Sequence, residues 1–316
     1  MTRHFLEVDD LSCAELETVL HLATAAPADR APVLAGRGAA LVFEKPSART
    51  RSSTELAVVA LGGHPVYIQG PEVGIDSRES AEDVARTLAG YHAVICARVM
   101  DHEVLVRMAA ALDACADGRG GHAGPVPVVN LLSDRAHPCQ ALADLLTLRT
   151  HFGELAGRTL AYVGDANNVW RSLALAAAMV GMRTRIAAPE GYGPEPDDLA
   201  RVADLGGEVE VTTDPTVAAS GADVLYTDVW TSMGQEDERA ARLEAFAGFT
   251  VDEALLARAG ADAVVLHCLP AHRGEEISGD VIDGPRSLVW AQAAHREDAV
   301  RGLLAWVLGA ESGGAS

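Results

Sequence analysis

The stretch Ala39–Arg51, which reads AALVFEKPSARTR, decides the fold expected for this chain. Its first five residues are apolar, as in a buried β-strand, and Pro46 then ends the run. Ser52 to Leu61 has a helical pattern, so a strand feeds a helix N-terminus where Ser47, Thr50 and two arginines gather. Such an N-terminus attracts anions through its backbone N–H groups and dipole, and arginine adds two-pronged recognition of phosphate. The stretch predicts a strand–helix unit with an anion site, while an ordinary helix cap with solvated arginines is the alternative.

The composition narrows the class of protein. The chain has 316 residues and 49% of them are apolar, which suffices for about two domains with their own cores. The net charge of −20 argues against a nucleic-acid partner or an anionic membrane surface. The five cysteines are widely spaced, and the first residues lack an apolar signal region, so we expect reduced thiols in a cytoplasmic protein. No apolar run reaches the roughly 18 residues of a transmembrane helix.

Apolar β-type runs alternate with Ala- and Leu-rich helical patterns along the chain. This alternation is typical of parallel sheets that are covered by helices on both faces. The predicted strands form one set before and one set after residue 138: 39–43, 65–68, 93–97, 126–130, 160–164, 184–188, 208–212, 224–227 and 264–268. We therefore predict an α/β protein with two doubly wound parallel-sheet domains and a cleft between them. Ligands of such sheets bind beyond the carboxyl ends of the strands, so the residues that follow each strand are the candidate site.

Polar residues do follow several of these strands. Arg98 comes after the third strand, and His137 and Gln140 lie one turn apart at the start of a helix after the fourth. Asp228 follows the eighth strand and precedes a Ser232-Met233-Gly234 turn, a pattern that suits an amino-group clamp. Each of these also has an ordinary interpretation as a capping segment or a solvated loop, so none identifies the function alone.

The sequence gives little support to two other interpretations, a dinucleotide-binding site and a metal site. The turn at 165–168 lacks the G-x-G-x-x-G spacing of dinucleotide-binding loops, so NAD is a poor fit. The residues available as nitrogen or sulfur ligands of a metal are His137, Cys139, His267, Cys268 and His272. Their spacing matches no compact zinc pattern, and adjacent His and Cys on a strand face opposite ways, so we expect no metal. A buried Cys268 without chemistry is a further alternative.

Taken together, the motifs resemble those of the aspartate/ornithine carbamoyltransferase family over nearly the whole chain and in the same order. The S-M-G and H-C-L-P motifs favour the ornithine branch of that family over the aspartate branch. The matching segments are Phe43–Arg51 for the S-T-R-T-R loop, Ala97-Arg98-Val99, His137-Pro138-Cys139-Gln140 for H-P-x-Q, Asp228 with Ser232-Met233-Gly234, His267-Cys268-Leu269-Pro270, and Arg296.

The resemblance implies a set of residues that bind carbamoyl phosphate: Ser47, Ala48, Arg49, Thr50, Arg98, His137, Gln140, Cys268, Leu269 and Arg296. Ser47, Arg49, Thr50 and Arg98 would hold the phosphate. Thr50, Arg98 and His137 would donate to the carbonyl oxygen, where negative charge develops in the transition state. Gln140 would accept from the carbamoyl NH₂, with help from the Cys268–Leu269 backbone.

The resemblance assigns the acceptor ornithine to Asn168, Asp228, Ser232 and Met233, and the catalytic roles to Arg98, His137, Asp228, Cys268 and Arg296. Asp228 and Cys268 would contact the side-chain amine, which must lose its proton because a free alkylamine has a pKa of about 10. The departing phosphate would accept that proton. The products would be citrulline and phosphate, and the reaction needs neither a metal nor an organic cofactor.

The resemblance also implies an organisation. Residues 1–137 with the C-terminal helix 291–316 would bind carbamoyl phosphate, and residues 138–290 would bind the amino acid. The partners would be these two substrates and two further copies of the chain, in a homotrimer or a trimer-based oligomer, with no nucleic acid and no membrane. Arginine biosynthesis is the expected pathway, although the same chemistry also runs in the catabolic direction.

Three departures from the family pattern keep alternatives open. Ala48 replaces a threonine of S-T-R-T-R, the loop 72–80 lacks the family's glutamine, and Ala293-Ala294-His295 precedes Arg296 where the family has A-E-N. The first alternative is a paralogue that acts on another diamino acid, such as diaminopropionate. The second is a catalytically weakened relative that acts as a binding or regulatory protein.

Overall fold

A computed structural model describes residues 2–114, 125–231 and 236–310. The chain divides into two compact units, Met1–Ala143 with Arg296–Ser316, and Asp144–His295. The described residues form nine strands in two parallel sheets: β1 (Gly38–Phe43), β2 (His64–Gln69), β3 (His92–Arg98), β4 (Val128–Leu132), β5 (Thr159–Val163), β6 (Arg183–Ala187), β7 (Val209–Thr212), β8 (Val224–Thr227) and β9 (Val264–His267). The predicted fold class is confirmed, since each predicted strand matches an observed one to within two residues.

Helices connect the strands in both units. The α-helices of the described residues are α1 (Cys13–Ala23), α2 (Ala48–Ala60), α3 (Gly70–Val73), α4 (Ala81–Ala89), α5 (His102–Asp113), α6 (Pro138–Phe152), α7 (Asn168–Met179), α8 (Pro196–Asp204), α9 (Pro215–Ala219), α10 (Arg239–Ala245), α11 (Glu253–Leu256), α12 (Gly279–Ile282) and α13 (Val289–Val307). Short 3₁₀ turns lie at Val8–Asp10, Pro27–Asp29 and Glu236–Glu238. Across the described ranges, no helix combines the length and the apolar character that a membrane crossing requires.

The sheet of the first unit has the strand order β2-β1-β3-β4. Its inner strand β1 is buried from Ala39 to Phe43, which explains the unbroken apolar run in the sequence. One face of this sheet packs into a core that includes Val42, Ile95, Leu105 and Met108. Chain order and spatial order differ here, because β1 pairs with β2 on one side and with β3 on the other.

The sheet of the second unit has the strand order β7-β6-β5-β8-β9. Its central strand β5 is buried throughout. The core on one face contains Val163, Leu225, Phe246 and Val265, and the rings of Trp230 and Phe246 stack with centroids 5.4 Å apart. The strand order reverses between β5 and β8, as it does between β1 and β3 in the first unit.

Such a reversal places a crevice at the carboxyl ends of the two strands that flank it. The predicted site residues Ser47, Arg98 and Asp228 come directly after or at the end of these flanking strands. Each sheet therefore presents one candidate half-site at its own switch point.

Candidate active site

In the first unit, helix α2 begins immediately after the β1 loop. Ser47 is the N-cap of this helix, because its Oγ accepts a hydrogen bond from the backbone N–H of Thr50 at 3.3 Å. The Ser47 hydroxyl also donates to the Thr50 hydroxyl at 3.1 Å. The helix starts at Ala48 rather than at the predicted Ser52, so Ala48, Arg49 and Thr50 form its first turn. Their backbone N–H groups lie at the end of the helix that attracts anions.

Arg98 lies at the carboxyl end of β3 and only 4% of it is exposed. Glu44 ties the β1 loop to this strand end. Its backbone N–H donates to the Arg98 carbonyl at 2.9 Å, and its carboxylate accepts from the backbone N–H of Met100 at 2.7 Å. The loop that follows β1 and the arginine that ends β3 are therefore held side by side, as the parallel pairing of Phe43 with Arg98 requires.

His137 lies between β4 and α6 and is buried. Burial, followed by the positive charges of Arg296, Arg98 and Arg49, holds the pKa of His137 well below its ordinary value. The imidazole is therefore neutral at physiological pH, and it can still donate one hydrogen bond. The same charges show that three arginines, separated widely in the sequence, gather around this ring within the first unit.

Arg296 on α13 is the most distant member of this group in the sequence. Its guanidinium donates to Gln140 Oε1 through a short hydrogen bond and contacts the Thr50 hydroxyl at 3.5 Å. Arg296, Gln140 and Thr50 are buried, with exposures of 4%, 2% and 2%. Because the Gln140 carbonyl oxygen accepts from Arg296, its orientation is fixed. The first unit thus combines a helix N-terminus, three arginines and a neutral histidine, which suits an oxyanion or a phosphate.

In the second unit, the loops after β5 and β8 meet at Asp228. Asn167 caps α7 by accepting from the N–H of Val169 at 2.9 Å, and its Nδ2 donates to Asp228 Oδ2 at 3.1 Å. Sequence reasoning named Asn168 for this half-site and missed Asn167, although an Asn before a helix is a recognisable cap signal. Asn168 is the first residue of α7 and is half-buried.

Asp228 is a buried carboxyl group with a strongly altered acidity. Burial raises its pKa to about 6, against the opposing effects of His267, the backbone N–H of Val229 and the Asn167 amide. Asp228 also lies 4.0 Å from His267 Nδ1. A carboxylate that is poorly solvated and close to its protonation point interacts strongly with a cation or a proton brought next to it.

The H-C-L-P segment follows β9, and its histidine has a defined tautomer. The backbone N–H of Leu269 donates to His267 Nδ1 at 2.8 Å, so Nδ1 carries no proton and Nε2–H donates to Glu276 Oε1 at 3.0 Å. His267 and Glu276 are both buried. Leu269 has a left-handed backbone, with φ of 63°, and the Leu269–Pro270 peptide bond is cis. The turn leaves Cys268 half-buried.

Ser232 and Met233 lie outside the described residues. Ala48 is exposed on the first turn of α2, so a larger side chain fits there without disturbing the core. Among the described residues, a group that brings metal-ligand atoms within 4.8 Å of one another consists of His272, Glu275 and Glu276, and Arg239 already pairs with Glu275.

Comparison with known proteins gives consistent matches over the whole chain. The family model described as aspartate/ornithine carbamoyltransferase, carbamoyl-P binding domain, matches residues 3–150, and the Asp/Orn binding domain of the same family matches residues 156–307. The ornithine carbamoyltransferase of Acidothermus cellulolyticus is 50% identical over 99% of both chains.

Solved structures agree with the sequence comparison. The crystal structure of ornithine carbamoyltransferase from Thermus thermophilus is 43% identical and superposes with a TM-score of 0.85, covering 98% of this chain and 99% of that one. The ornithine carbamoyltransferase from Pyrococcus furiosus is 40% identical and has a TM-score of 0.89, covering 98% of this chain and 97% of that one.

Proposed function

Because the chain belongs to the aspartate/ornithine carbamoyltransferase family, we propose that it transfers the carbamoyl group of carbamoyl phosphate to the side-chain amine of L-ornithine. The products are L-citrulline and phosphate. The observation that carries this proposal is the presence of two half-sites of opposite charge. A cationic group around a helix N-terminus lies at one switch point, and a buried carboxyl group lies at the other.

The cationic half-site of the first unit suits the phosphate of carbamoyl phosphate. The first turn of α2, capped by Ser47, offers backbone N–H groups, and the side chains of Arg49 and Thr50 adjoin them. The chain as a whole is strongly acidic, so an anionic substrate needs this local concentration of arginines. Ala48 contributes only a backbone N–H, which leaves one hydroxyl contact fewer than the family pattern provides.

Arg98 and His137 suit the carbonyl oxygen of the carbamoyl group. Negative charge builds on that oxygen when the amine attacks, and buried donors that are already in place stabilise it. The neutral state of His137 matters here, because a neutral imidazole donates without adding a further full charge beside three arginines. We assign the carbamoyl NH₂ to the Gln140 carbonyl oxygen, which already accepts from Arg296 and has a second lone pair, and we propose the Cys268–Leu269 backbone as a second acceptor.

The anionic half-site of the second unit suits the acceptor. Asp228 attracts the cationic amine of ornithine, and Cys268 lies in the segment that follows β9. The amine reacts only after it loses a proton, since the pKa of an alkylammonium ion is about 10. We propose that this first proton goes to solvent. The neutral nitrogen then forms a bond to the carbonyl carbon, the carbon–oxygen bond to phosphate breaks, and the phosphate leaves with the second proton that the nitrogen releases. We assign the α-amino acid end of ornithine to Asn168, Ser232 and Met233.

We also propose that residues 1–137 with 291–316 bind carbamoyl phosphate and that residues 138–290 bind ornithine. The order of the two family matches supports the assignment of the two main segments. The grouping of Arg296–Ser316 with the first compact unit supports the assignment of the C-terminal helix. A homotrimer in the cytoplasm, serving arginine biosynthesis, is the assembly and role that we propose. Light scattering coupled to gel filtration measures the mass of the assembly against 33.0 kDa for one chain.

One assay tests the reaction and its acceptor. Carbamoyl phosphate is supplied with ornithine, lysine, putrescine, diaminobutyrate or diaminopropionate, and both the ureido product and phosphate are measured. We expect the highest kcat/KM with ornithine. Faster turnover of diaminopropionate would replace the proposal with a paralogue for a shorter acceptor. No turnover with any amine, together with no heat of binding for carbamoyl phosphate, would leave only the binding or regulatory alternative.

A further inference from the structure

A buried polar network in the second unit joins residues of α6, β8, β9 and α13, and their side chains contact neither substrate in the reaction proposed above. Its members are Asp144, Tyr226, His267 and Gln292, which are at most 1% exposed. Gln292 Nε2 donates to Asp144 Oδ1 at 2.6 Å, and the Tyr226 hydroxyl donates to Asp144 Oδ2 at 3.1 Å. Gln292 Nε2 also lies 3.2 Å from the Tyr226 hydroxyl oxygen.

The network fixes the orientation of the Gln292 side-chain amide. Its NH₂ group faces two acceptors, the Asp144 carboxylate and the Tyr226 hydroxyl oxygen, so its carbonyl oxygen must point the other way. There Oε1 accepts a hydrogen bond from the backbone N–H of His267 at 3.0 Å. Both oxygens of the Asp144 carboxyl group are engaged, one by Gln292 and one by the Tyr226 hydroxyl, so the amide of Gln292 has only one orientation that satisfies the network.

Gln292 accepts a hydrogen bond from a backbone N–H of β9, whereas elsewhere along this strand a main-chain carbonyl accepts the equivalent bond. This strand is at the edge of its sheet, so one row of its backbone groups needs other partners. The Val265 N–H donates to the Arg286 carbonyl, and the Val265 carbonyl accepts from the Leu288 N–H, both at 2.9 Å. Two residues further along the strand, the His267 N–H meets Gln292 instead. His267 is the last residue of β9, and Cys268 follows it directly.

We propose that Asp144 and Gln292 are positioning residues for the acceptor half-site. Asp144 orients Gln292, and Gln292 anchors the end of β9, which sets the place of Cys268 and Leu269. This inference rests on the proposed function, because it gives those two residues their role. A simple packing role explains it less well, since a buried polar group is costly to desolvate and an apolar residue of the same size would pack at lower cost.

A second branch of the same network reaches Asp228 through aromatic rings. Tyr226 stacks on Tyr162 with ring centroids 5.5 Å apart and planes 16° apart. The Tyr162 hydroxyl lies 3.4 Å from Asn167 Oδ1, and Asn167 donates to Asp228. Asp144 therefore supports both strand ends, those of β8 and β9, that carry the acceptor-binding residues.

The inference is tested by exchanging the carboxyl group at position 144 with the amide group at position 292. In Asp144→Asn an amide NH₂ replaces one of the two oxygens that accept from Gln292 and Tyr226, and in Gln292→Glu two carboxyl groups face each other. In the double variant, the new amide at position 144 can donate to the new carboxylate at position 292, and that carboxylate can still accept from the His267 N–H. Each single variant should lower kcat for ornithine by about tenfold or more, since small displacements at a reacting centre have large effects on rate. The double variant should recover kcat to within about threefold of the parent, as coupled neighbours do.

The matched control is Asp223→Asn, a carboxylate-to-amide change at the opposite, amino-terminal end of β8. The Asp223 carboxylate accepts from the Thr159 N–H at 2.8 Å and pairs with Arg158 at 3.2 Å, and both of these partners lie at the start of β5. Because those contacts are far along the strands from the network, kcat should stay unchanged even if the melting temperature falls. If Asp144→Asn does not fold, Tyr226→Phe removes the hydroxyl that donates to Asp144 and accepts from Gln292, adds no new polar group, and should lower kcat about threefold or more.

The outcomes separate the inference from the proposed function. A parent protein that turns over no amine would overturn the proposed function. An active parent whose Asp144 and Gln292 variants keep kcat within about twofold, or whose double variant shows the product of the two single losses, would overturn the positioning role. Carbamoyl-phosphate binding, measured by calorimetry on each variant, should persist and shows that the chain is folded.

Discussion

Replacing Asp228 by asparagine should make the protein more stable at neutral pH while removing most of its activity. The carboxyl group is only 5% exposed, and burial raises its pKa to about 6 from an ordinary value of 3.8. Asparagine has nearly the same shape but never ionises. The substitution therefore removes the cost of burying a charge and also removes the group proposed to attract the amine of ornithine.

The size and sign of the stability effect follow from proton linkage. A carboxyl group with a raised pKa contributes stability that is fully present below pH 3.8 and is lost as the pH rises through about 6. A difference of about two pKa units corresponds to about 3 kcal/mol at neutral pH. The change in hydrogen bonding to Asn167 and Val229 adds an offset of about 1 kcal/mol that does not depend on pH. The pH dependence of the difference is therefore the cleaner measure.

The assay is urea unfolding of the parent and of Asp228→Asn at a series of pH values from about 4 to about 8. The free energy of unfolding of the variant, relative to the parent, should rise by about 1.4 kcal/mol per pH unit between about pH 4 and pH 6 and then level off. Turnover of ornithine should fall by about 100-fold or more, as expected when a group that orients a reactant is lost.

Asp214→Asn is a control for which the expected change in stability at neutral pH has the opposite sign. Hydrogen bonds from the Thr216 side chain and N–H lower the pKa of Asp214, so its ionised form stabilises the fold above pH 3.8 and its replacement should destabilise the protein at neutral pH. If the relative stability of Asp228→Asn stayed flat between about pH 4 and pH 7, the carboxyl group would not be a strained buried acid, and the electrostatic account of the acceptor half-site would be wrong.

Three further predictions concern the carbamoyl-phosphate half-site. Arg98→Ala should lower kcat/KM by about 100- to 1000-fold, while Arg86→Ala on the exposed face of α4 should leave it unchanged in the same assay; near-normal activity of the first variant would refute the role of Arg98. Ala48→Thr restores a hydroxyl on the first turn of α2 and should lower the KM for carbamoyl phosphate by up to about tenfold; an unchanged or higher KM would mean that this position does not face the phosphate. Calorimetric binding of carbamoyl phosphate should show no step near pH 6.5 from His137, whose pKa is held well below that value; a step there that disappears in His137→Gln would contradict the neutral state of the ring.

Local sequence patterns predict most of the fold. Strands such as β1 and β5 are visible because continuous apolar runs occur where helices cover both faces of a parallel sheet. The start of α2 predicted from the sequence is four residues too late. The helical pattern from Ser52 onward is visible in the sequence. The hydrogen bond from the Thr50 N–H to Ser47, which starts the helix, depends on backbone geometry. The sequence also does not show that Asn167 rather than Asn168 contacts Asp228, because the two neighbours have the same side chain and only the backbone geometry distinguishes them.

The sequence by itself determined the class of fold, the motifs at the strand ends and the type of chemistry, because these depend on residue types at short spacing. Only the tertiary structure decided which of those residues act on one another. Arg296 meets Gln140 across 156 residues of chain, and His267 meets Gln292 only because β9 ends at the edge of the sheet. The altered pKa values of Asp228 and His137 are also decided by the tertiary structure. It arises from burial and from charges that are distant in the sequence, and strand order and packing bring those groups together.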